Sequence, residues 1–248
     1  MRKQAAGLLA LVMLLVCTVS LAETGISAGG KVTFGKYWQH MKSAKVPADP
    51  EPISWKVLAV EGDKALLLAE QPLVSMAYNS EDHFLYEVTW ETCSLRAWLN
   101  GAFLDDAFSA AEKQAILPTA ISTPDYVYNG FTVSGGNDTK DLVFLLSTGE
   151  LKKYLKTDVS RKCCPTDYAV YTGAANTWGT YFDDSGEVDK YVHDVCIWWL
   201  RSPGTIGHYA AECNYTGEIS PRGSYVARTG LAVRPALWVL TSALPGGN

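Results

Sequence analysis

Cys196-Ile197-Trp198-Trp199-Leu200-Arg201, then Ser202-Pro203-Gly204-Thr205-Ile206-Gly207, then Tyr209-Ala210-Ala211-Glu212-Cys213-Asn214-Tyr215: the reading of this stretch decides the fold. Large apolar residues at successive positions put bulk on both faces of a strand, so that strand needs cover on both faces. The Pro- and Gly-rich segment is turn chemistry, and the run after it reads as the return strand. An antiparallel hairpin follows. Cys196 and Cys213 lie symmetrically about Gly204 and Thr205, so a symmetric hairpin makes them cross-strand neighbours with Cα atoms about 4.5 to 5.5 Å apart, within disulfide reach. Thr216-Gly217 marks another turn, and Ser224–Ala227 and Gly230–Leu240 extend the sheet.

Upstream, Lys31–Trp38 reads as a first strand, and Lys42–Pro52, with Pro47, Pro50 and Pro52, as a loop. Ile53–Val60 and Lys64–Glu70 flank Glu61-Gly62-Asp63, the pattern of a β-hairpin. Thr92–Asn100 places Leu95, Trp98 and Leu99 on one helical face, with Thr92 or Ser94 to cap it. Ser109 with Glu112, and Ser147 with Glu150, have capping-box spacing, and the helix after Ser109 stops at Pro118. Leu142–Leu146 reads as an apolar strand, and residues 157–190 as mostly irregular. No repeat of 20 to 50 residues suggests a solenoid or propeller. Hairpins with helices to one side give an α+β domain on an antiparallel sheet.

The beginning of the chain reads as an export signal. Arg2 and Lys3 precede an apolar run from Ala5 to Val19, and Ser20-Leu21-Ala22 is a small-x-small cleavage site, so residues 1–22 are expected to be removed. The run is too short for a membrane anchor, which needs about 20 residues. Cys17 follows Val16 where a lipoprotein would carry a small residue. Residues 23–30 then form a lead-in, 31–241 one globular domain and 242–248 a flexible tail, secreted or held at the cell surface. Loss of Arg2 and Lys3 takes the formal charge from −5 to −7, which argues against nucleic acid and anionic membranes as partners, since both need a positive patch.

Of the 6 cysteines, Cys93, Cys163, Cys164, Cys196 and Cys213 follow the cleavage site, and an odd number leaves one unpaired. Cys163-Cys164 could bind metal or form a strained vicinal disulfide. No CxxC or nearby histidine completes a zinc site, so two separate buried or loop cysteines are the expectation. Gly25-Ile26-Ser27-Ala28-Gly29 matches GxSxG, but a nucleophile elbow needs a strand before it and a helix after it. His40, His83, His193 and His208 are scattered without short ligand spacing, and Asp183–Asp189 lacks the EF-hand order of calcium ligands. No catalytic residue, metal site or cofactor is expected.

Four segments carry a resemblance: ISWKVLAV at 53–60, VTWETCSLRAWLN at 88–100, WWLRSPG at 198–204 and GLAVRPALWV at 230–239. Over roughly residues 32–240 the chain resembles a family of bacterial exported or cell-surface domains of unknown function. That family in turn resembles the C-type-lectin-like fold, which includes formylglycine-generating enzymes and the variable ligand-binding proteins of diversity-generating retroelements. The resemblance implies irregular loops presented on a stable sheet, which suits binding of a glycan, peptide or surface partner. The loop candidates are Arg201, His208, Tyr209, Asn214, Tyr215, Arg222, Tyr225 and Arg228: tyrosine rings stack on sugars or peptides, while arginine and asparagine give directional hydrogen bonds. Arg201 and Arg234, beside Pro203 and Pro235, have the competing role of tethering loop carbonyls. The alternative implied by the resemblance is a cysteine-dependent copper oxidase. The matching cysteine pair has no place in this sequence, since Cys213 stands alone near the closing GLAVRPAL.

Overall fold

Alternation of apolar and polar residues sets the first strand, β1 (Lys31–Tyr37), with Val32, Phe34 and Tyr37 turned inward. The computed structural model describes residues 25–81, 86–174 and 195–245. The leader, Cys17, His83, His193 and Asp183–Asp189 lie outside the described residues. The Lys42–Pro52 stretch, expected as loop, holds a small hairpin of β2 (Met41–Ser43) and β3 (Val46–Pro47), and β4 (Glu51–Glu61) already begins within it. β5 (Lys64–Ala69) returns along β4 with Glu61 paired to Lys64, so the turn is Gly62-Asp63, with Gly62 at φ 62°. A short β6 (Val74–Ser75) follows.

The helices are short, and their starts are set by side-chain caps. α1 (Ser94–Leu99) is capped by Cys93, whose Sγ accepts the Arg96 N–H at 3.4 Å. Neither expected cap serves: Ser94 Oγ accepts from Ser80 N–H at 2.7 Å, and Thr92 Oγ1 accepts from Thr89 N–H at 3.1 Å. After α2 (Ala102–Ala107), α3 (Ala110–Ala115) opens on the Ser109/Glu112 capping box. Next come β7 (Thr119–Ile121), β8 (Tyr126–Tyr128), β9 (Phe131–Val133) and β10 (Thr139–Asp141). Leu142–Leu146 is not a ladder strand. It bridges Ala236 through Phe144 alone, because Asn100 Oδ1 takes the N–H groups of Leu142 and Val143 at 2.8 and 3.2 Å. α4 (Thr148–Tyr154) opens on the Ser147/Glu150 box. The stretch expected to be irregular contains α5 (Asp158–Arg161) and α6 (Asp167–Tyr171), capped by Thr157 and Thr166 and too short to show a periodicity.

β11 (Trp198–Pro203), β12 (Tyr209–Cys213), β13 (Ile219–Tyr225), β14 (Ala232–Val233) and β15 (Ala236–Leu240) complete the chain. Two main sheets result, β1-β4-β5-β15 and β13-β12-β11-β14-β6, antiparallel except where Trp198 meets Ala232. The molecule is therefore α+β. Gly230–Leu240 does not extend one sheet as expected; it changes sheets at Arg234-Pro235, beside the Ala69–Val74 segment that makes the opposite crossing. Trp55, Trp90, Trp198, Trp199, Phe103 and Phe144 fill the interior.

The expected pairing of Cys196 with Cys213 fails. Cys213 opposes Trp198, because the hairpin turns about Ile206-Gly207, with Pro203 paired to Ala210, and not about Gly204-Thr205; the extra residues of β11 between Trp199 and Pro203 offset only half of that displacement. A bulge of this kind shifts the register, and Cys196 lies beyond the start of the strand. Among the described residues no helix is long and apolar enough to cross a membrane.

Candidate functional site

The most recognisable residues of the chain are turned inward. Arg201 is 3% exposed. Its guanidinium donates to Leu145 O at 2.8 Å, Ser122 O at 3.3 Å, Thr123 Oγ1 at 3.3 Å and the Glu150 carboxylate. Arg234 is 2% exposed, donates to Ala69 O at 2.8 Å and Glu70 O at 3.1 Å, and stacks on Trp198 at 5.0 Å. It clamps the place where both segments change sheets. The buried Asp141 accepts from two side chains of the 88–100 segment, Arg96 Nε at 2.7 Å and Trp90 Nε1 at 2.8 Å. Buried polar groups need partners, and here the motif side chains are those partners. Arg201 thus has the tethering role and lies apart from the other loop candidates.

The β12–β13 hairpin divides the remaining candidates between its two ends, which a five-residue strand separates by about 17 Å. At the far end Asn214 Oδ1 accepts from Thr216 N–H at 2.9 Å and Glu218 N–H at 3.1 Å, closing the turn, and Tyr215 is exposed beside it. At the near end His208, Tyr209 and Tyr225 form a half-buried ring cluster, with centroids 5.2 to 6.2 Å apart. Arg222 and Arg228 are exposed on the same hairpin, and Arg228 reaches Ser224 Oγ at 3.4 Å. Burial pushes the Glu212 carboxyl above the ordinary carboxylate range, against a hydrogen bond from Ser224 and the nearby Arg228.

Beside that near end lies a groove of about 480 Å³. Tyr128, Phe131 and Val133 of the β8–β9 hairpin form one wall and Thr205, Ile206 and Gly207 the other, with Glu87 and Asn129 as its polar edges. The Val88 N–H holds the second wall through Gly207 O at 2.7 Å. The β8–β9 hairpin forms a two-stranded sheet of its own, so neither strand pairs with a third. Phe131 is 75% exposed, Val127 63% and Tyr128 46%, and Tyr126 and Tyr128 stack with centroids 6.5 Å apart. Sequence reasoning passed over this element although Asn129-Gly130 between YVY and FTV is a hairpin signal. Asn129 (φ 50°) and Gly130 (φ 82°) take the left-handed conformations of a type I′ turn.

A larger cavity of about 620 Å³ lies against β1, α2 and α3, and Glu112, Ser109 and Asp105 on its lining are engaged within the protein. Glu112 accepts from Ser109 N–H and Gly35 N–H, and Asp105 accepts from Lys113. The Gly25–Gly29 segment runs into β1 and not into a helix. His40 pairs with Asp167 at 3.0 Å on the surface. Cys164 is exposed while Cys163 is buried, so the two adjacent residues serve different surroundings.

Residues 62–241 match the family described as a domain of unknown function, DUF6273. The chain belongs to this family. The match begins in the β4–β5 turn, so β1 and the ISWKVLAV segment precede it, while the helices, the groove and both ends of the β12–β13 hairpin fall inside. No curated protein and no solved structure matches the chain.

Proposed function

We propose that this DUF6273 protein is an exported, non-catalytic binding domain that holds a glycan or a peptide in the groove between the β8–β9 hairpin and the Gly204–His208 turn. The observation that carries the reading is Phe131, three-quarters exposed at the mouth of a groove with a second aromatic wall residue, Tyr128. An aromatic ring left in water on a hairpin outside the two main sheets is a stacking face for a sugar ring or an apolar peptide side chain. The groove is of ligand-binding size, since such sites run from about 300 to 1,000 Å³. Glu87, Asn129 and Thr205 supply hydrogen bonds, and His208, Tyr209, Tyr225, Arg222 and Arg228 extend the surface next to it. Export rests on the charged, apolar and small-residue order of residues 1–22, and the likeness to lectin-like folds on the loop-bearing architecture.

The copper-oxidase reading meets one of its requirements, because Cys163 and Cys196 are neighbours, with the Cys196 Sγ 3.5 Å from Cys163 O. They do not fit an open site. The two are 7% and 2% exposed, and no third ligand joins them among the described residues, so a substrate thiol has no approach. A glycan and peptide array probed with residues 23–248, as wild type and as Phe131→Ala, tests the binding reading. Hits that lose tenfold or more in the variant, with the melting temperature held, support it; hits indifferent to Phe131 contradict it.

A further inference from the structure

Two buried thiols, Cys163 and Cys196, are direct neighbours. Cys163 lies between α5 and α6, Cys196 two residues before Trp198 opens β11, and Cys213 ends β12; they are 7%, 2% and 0% exposed. Cys163 and Cys196 are joined most directly. The Cys196 N–H donates to Cys163 O at 3.1 Å, and the Cys196 Sγ lies 3.5 Å from the same oxygen. A direct backbone hydrogen bond, with the two thiols also hydrogen-bonded to each other, sets these residues side by side, which is the arrangement a disulfide needs. Both stand as thiols in this structure.

We propose that Cys163 and Cys196 are a disulfide-forming pair, which locks the segment after α5 to the entry of β11 once the chain is in an oxidising compartment. The vicinal alternative fails on direction, since Cys163 is buried and Cys164 exposed. The two thiols perturb each other. Burial works against a Cys163 thiolate, but the Cys196 hydrogen bond and the Arg234 charge outweigh it and lower its pKa. The Cys196 thiol is pushed up by its bond to Cys163 and by burial. Cys213 is pushed up to about 12, first by burial and then by Cys163.

With Cys163 as the attacking sulfur the exchange balances, and it balances equally with the two cysteines interchanged. The Cys163 thiolate displaces one thiolate from an oxidant disulfide, either glutathione disulfide or an exported thiol oxidase, and forms a mixed disulfide. Cys196, its proton passing to the released thiolate, then attacks the Cys163 sulfur and expels the second thiolate. Two thiol protons and two electrons leave the pair, and the oxidant ends as two thiols. The low exposure places this exchange in the folding chain or in a local opening.

The pairing itself does not rest on the groove, and it rests on export only for the oxidant. The test is to refold reduced residues 23–248 in a glutathione redox buffer, alkylate, and map peptides without reduction. The expected result is one cross-linked peptide joining Cys163 to Cys196, with Cys213 alkylated after unfolding. The bond closes a sequence separation of 33 residues, so reduction or Cys196→Ser should lower the melting temperature by on the order of 10 °C relative to oxidised wild type. Cys164→Ser should leave it unchanged. Full alkylation of both thiols, or Cys163 bonded to Cys164 or Cys213, would overturn the proposal. Where refolding fails, chain directed to a bacterial periplasm and alkylated before lysis gives the same two readings. A bond that forms in the redox buffer but is absent from the protein in its own cell counts against export and not against the pairing.

Discussion

The interior around Arg201, Arg234 and Asp141 and the hairpin from Tyr126 to Val133 differ in how their side chains are used. In the interior, each polar group answers a carbonyl, carboxylate, hydroxyl or indole N–H, and Arg201 alone makes four such contacts. On the hairpin, Phe131, Val127 and Tyr128 face water. The residues that make the sequence recognisable hold the fold, and the surface available to a partner is built from an ordinary type I′ hairpin.

The largest expected effect lies in the interior. Asp141→Ala strands Arg96 and Trp90 Nε1 without their acceptor, and breaking a buried pair of this kind costs about 3–5 kcal/mol, to be read by urea unfolding. Sparing the protein at that site would break the comparison. Gly223 against Gly130 sharpens it. Both have positive φ, 75° and 82°, but a Cβ on Gly223 would sit 2.1 Å from Ala210 O, whereas Gly130 faces open space. Gly223→Ala should therefore cost about 3 kcal/mol or more, and Gly130→Ala about 1–2 kcal/mol.

Two carboxyls should respond to pH in opposite senses. Glu112 works against its own burial, but hydrogen bonds from Ser109 and the Gly35 N–H hold its pKa below the ordinary value. Its contribution is present above the unfolded pKa and is lost as pH falls through the folded one. Glu212 has a raised folded pKa, so the stability linked to it is full below the unfolded value and declines as pH rises through the folded one. Glu112→Gln should thus lose about 1 kcal/mol near neutrality, comparable to loss of a cap, and little in acid. Glu212→Gln should match or exceed wild type near neutrality and lose that advantage in acid. Melting temperatures at both ends of the range decide the signs.

The sequence makes the strands and capped helices legible wherever a local rule acts without competition. Ser109/Glu112 and Ser147/Glu150 are capping boxes in sequence and in space, and Gly62-Asp63 turns as its neighbours require. Legibility fails where a distant residue intervenes. The Asn100 amide removes Leu142 and Val143 from a ladder, a turn centred on Ile206-Gly207 puts Trp198 and not Cys196 opposite Cys213, and Arg234-Pro235 sends one apolar run into two sheets. Of the loop candidates, Tyr209, Tyr225 and His208 cluster, Asn214 closes a turn, and Arg201 is buried. The β8–β9 wall was available from Asn129-Gly130, but exposed aromatic residues carry no periodic signature to mark a ligand face.

The smallest expected effect on stability belongs to Phe131, whose ring leaves water on no core surface, and its effect on binding should be the largest. The decisive measurement is a titration of the best array ligand against wild type, Phe131→Ala and Tyr215→Ala, with melting temperatures for each. The account predicts a loss of tenfold or more for Phe131→Ala, wild-type affinity for Tyr215→Ala at the far end of the β12–β13 hairpin, and melting temperatures within about 2 °C of wild type, the range for surface changes of this size. Unchanged affinity in Phe131→Ala, or a loss confined to Tyr215→Ala, would contradict it.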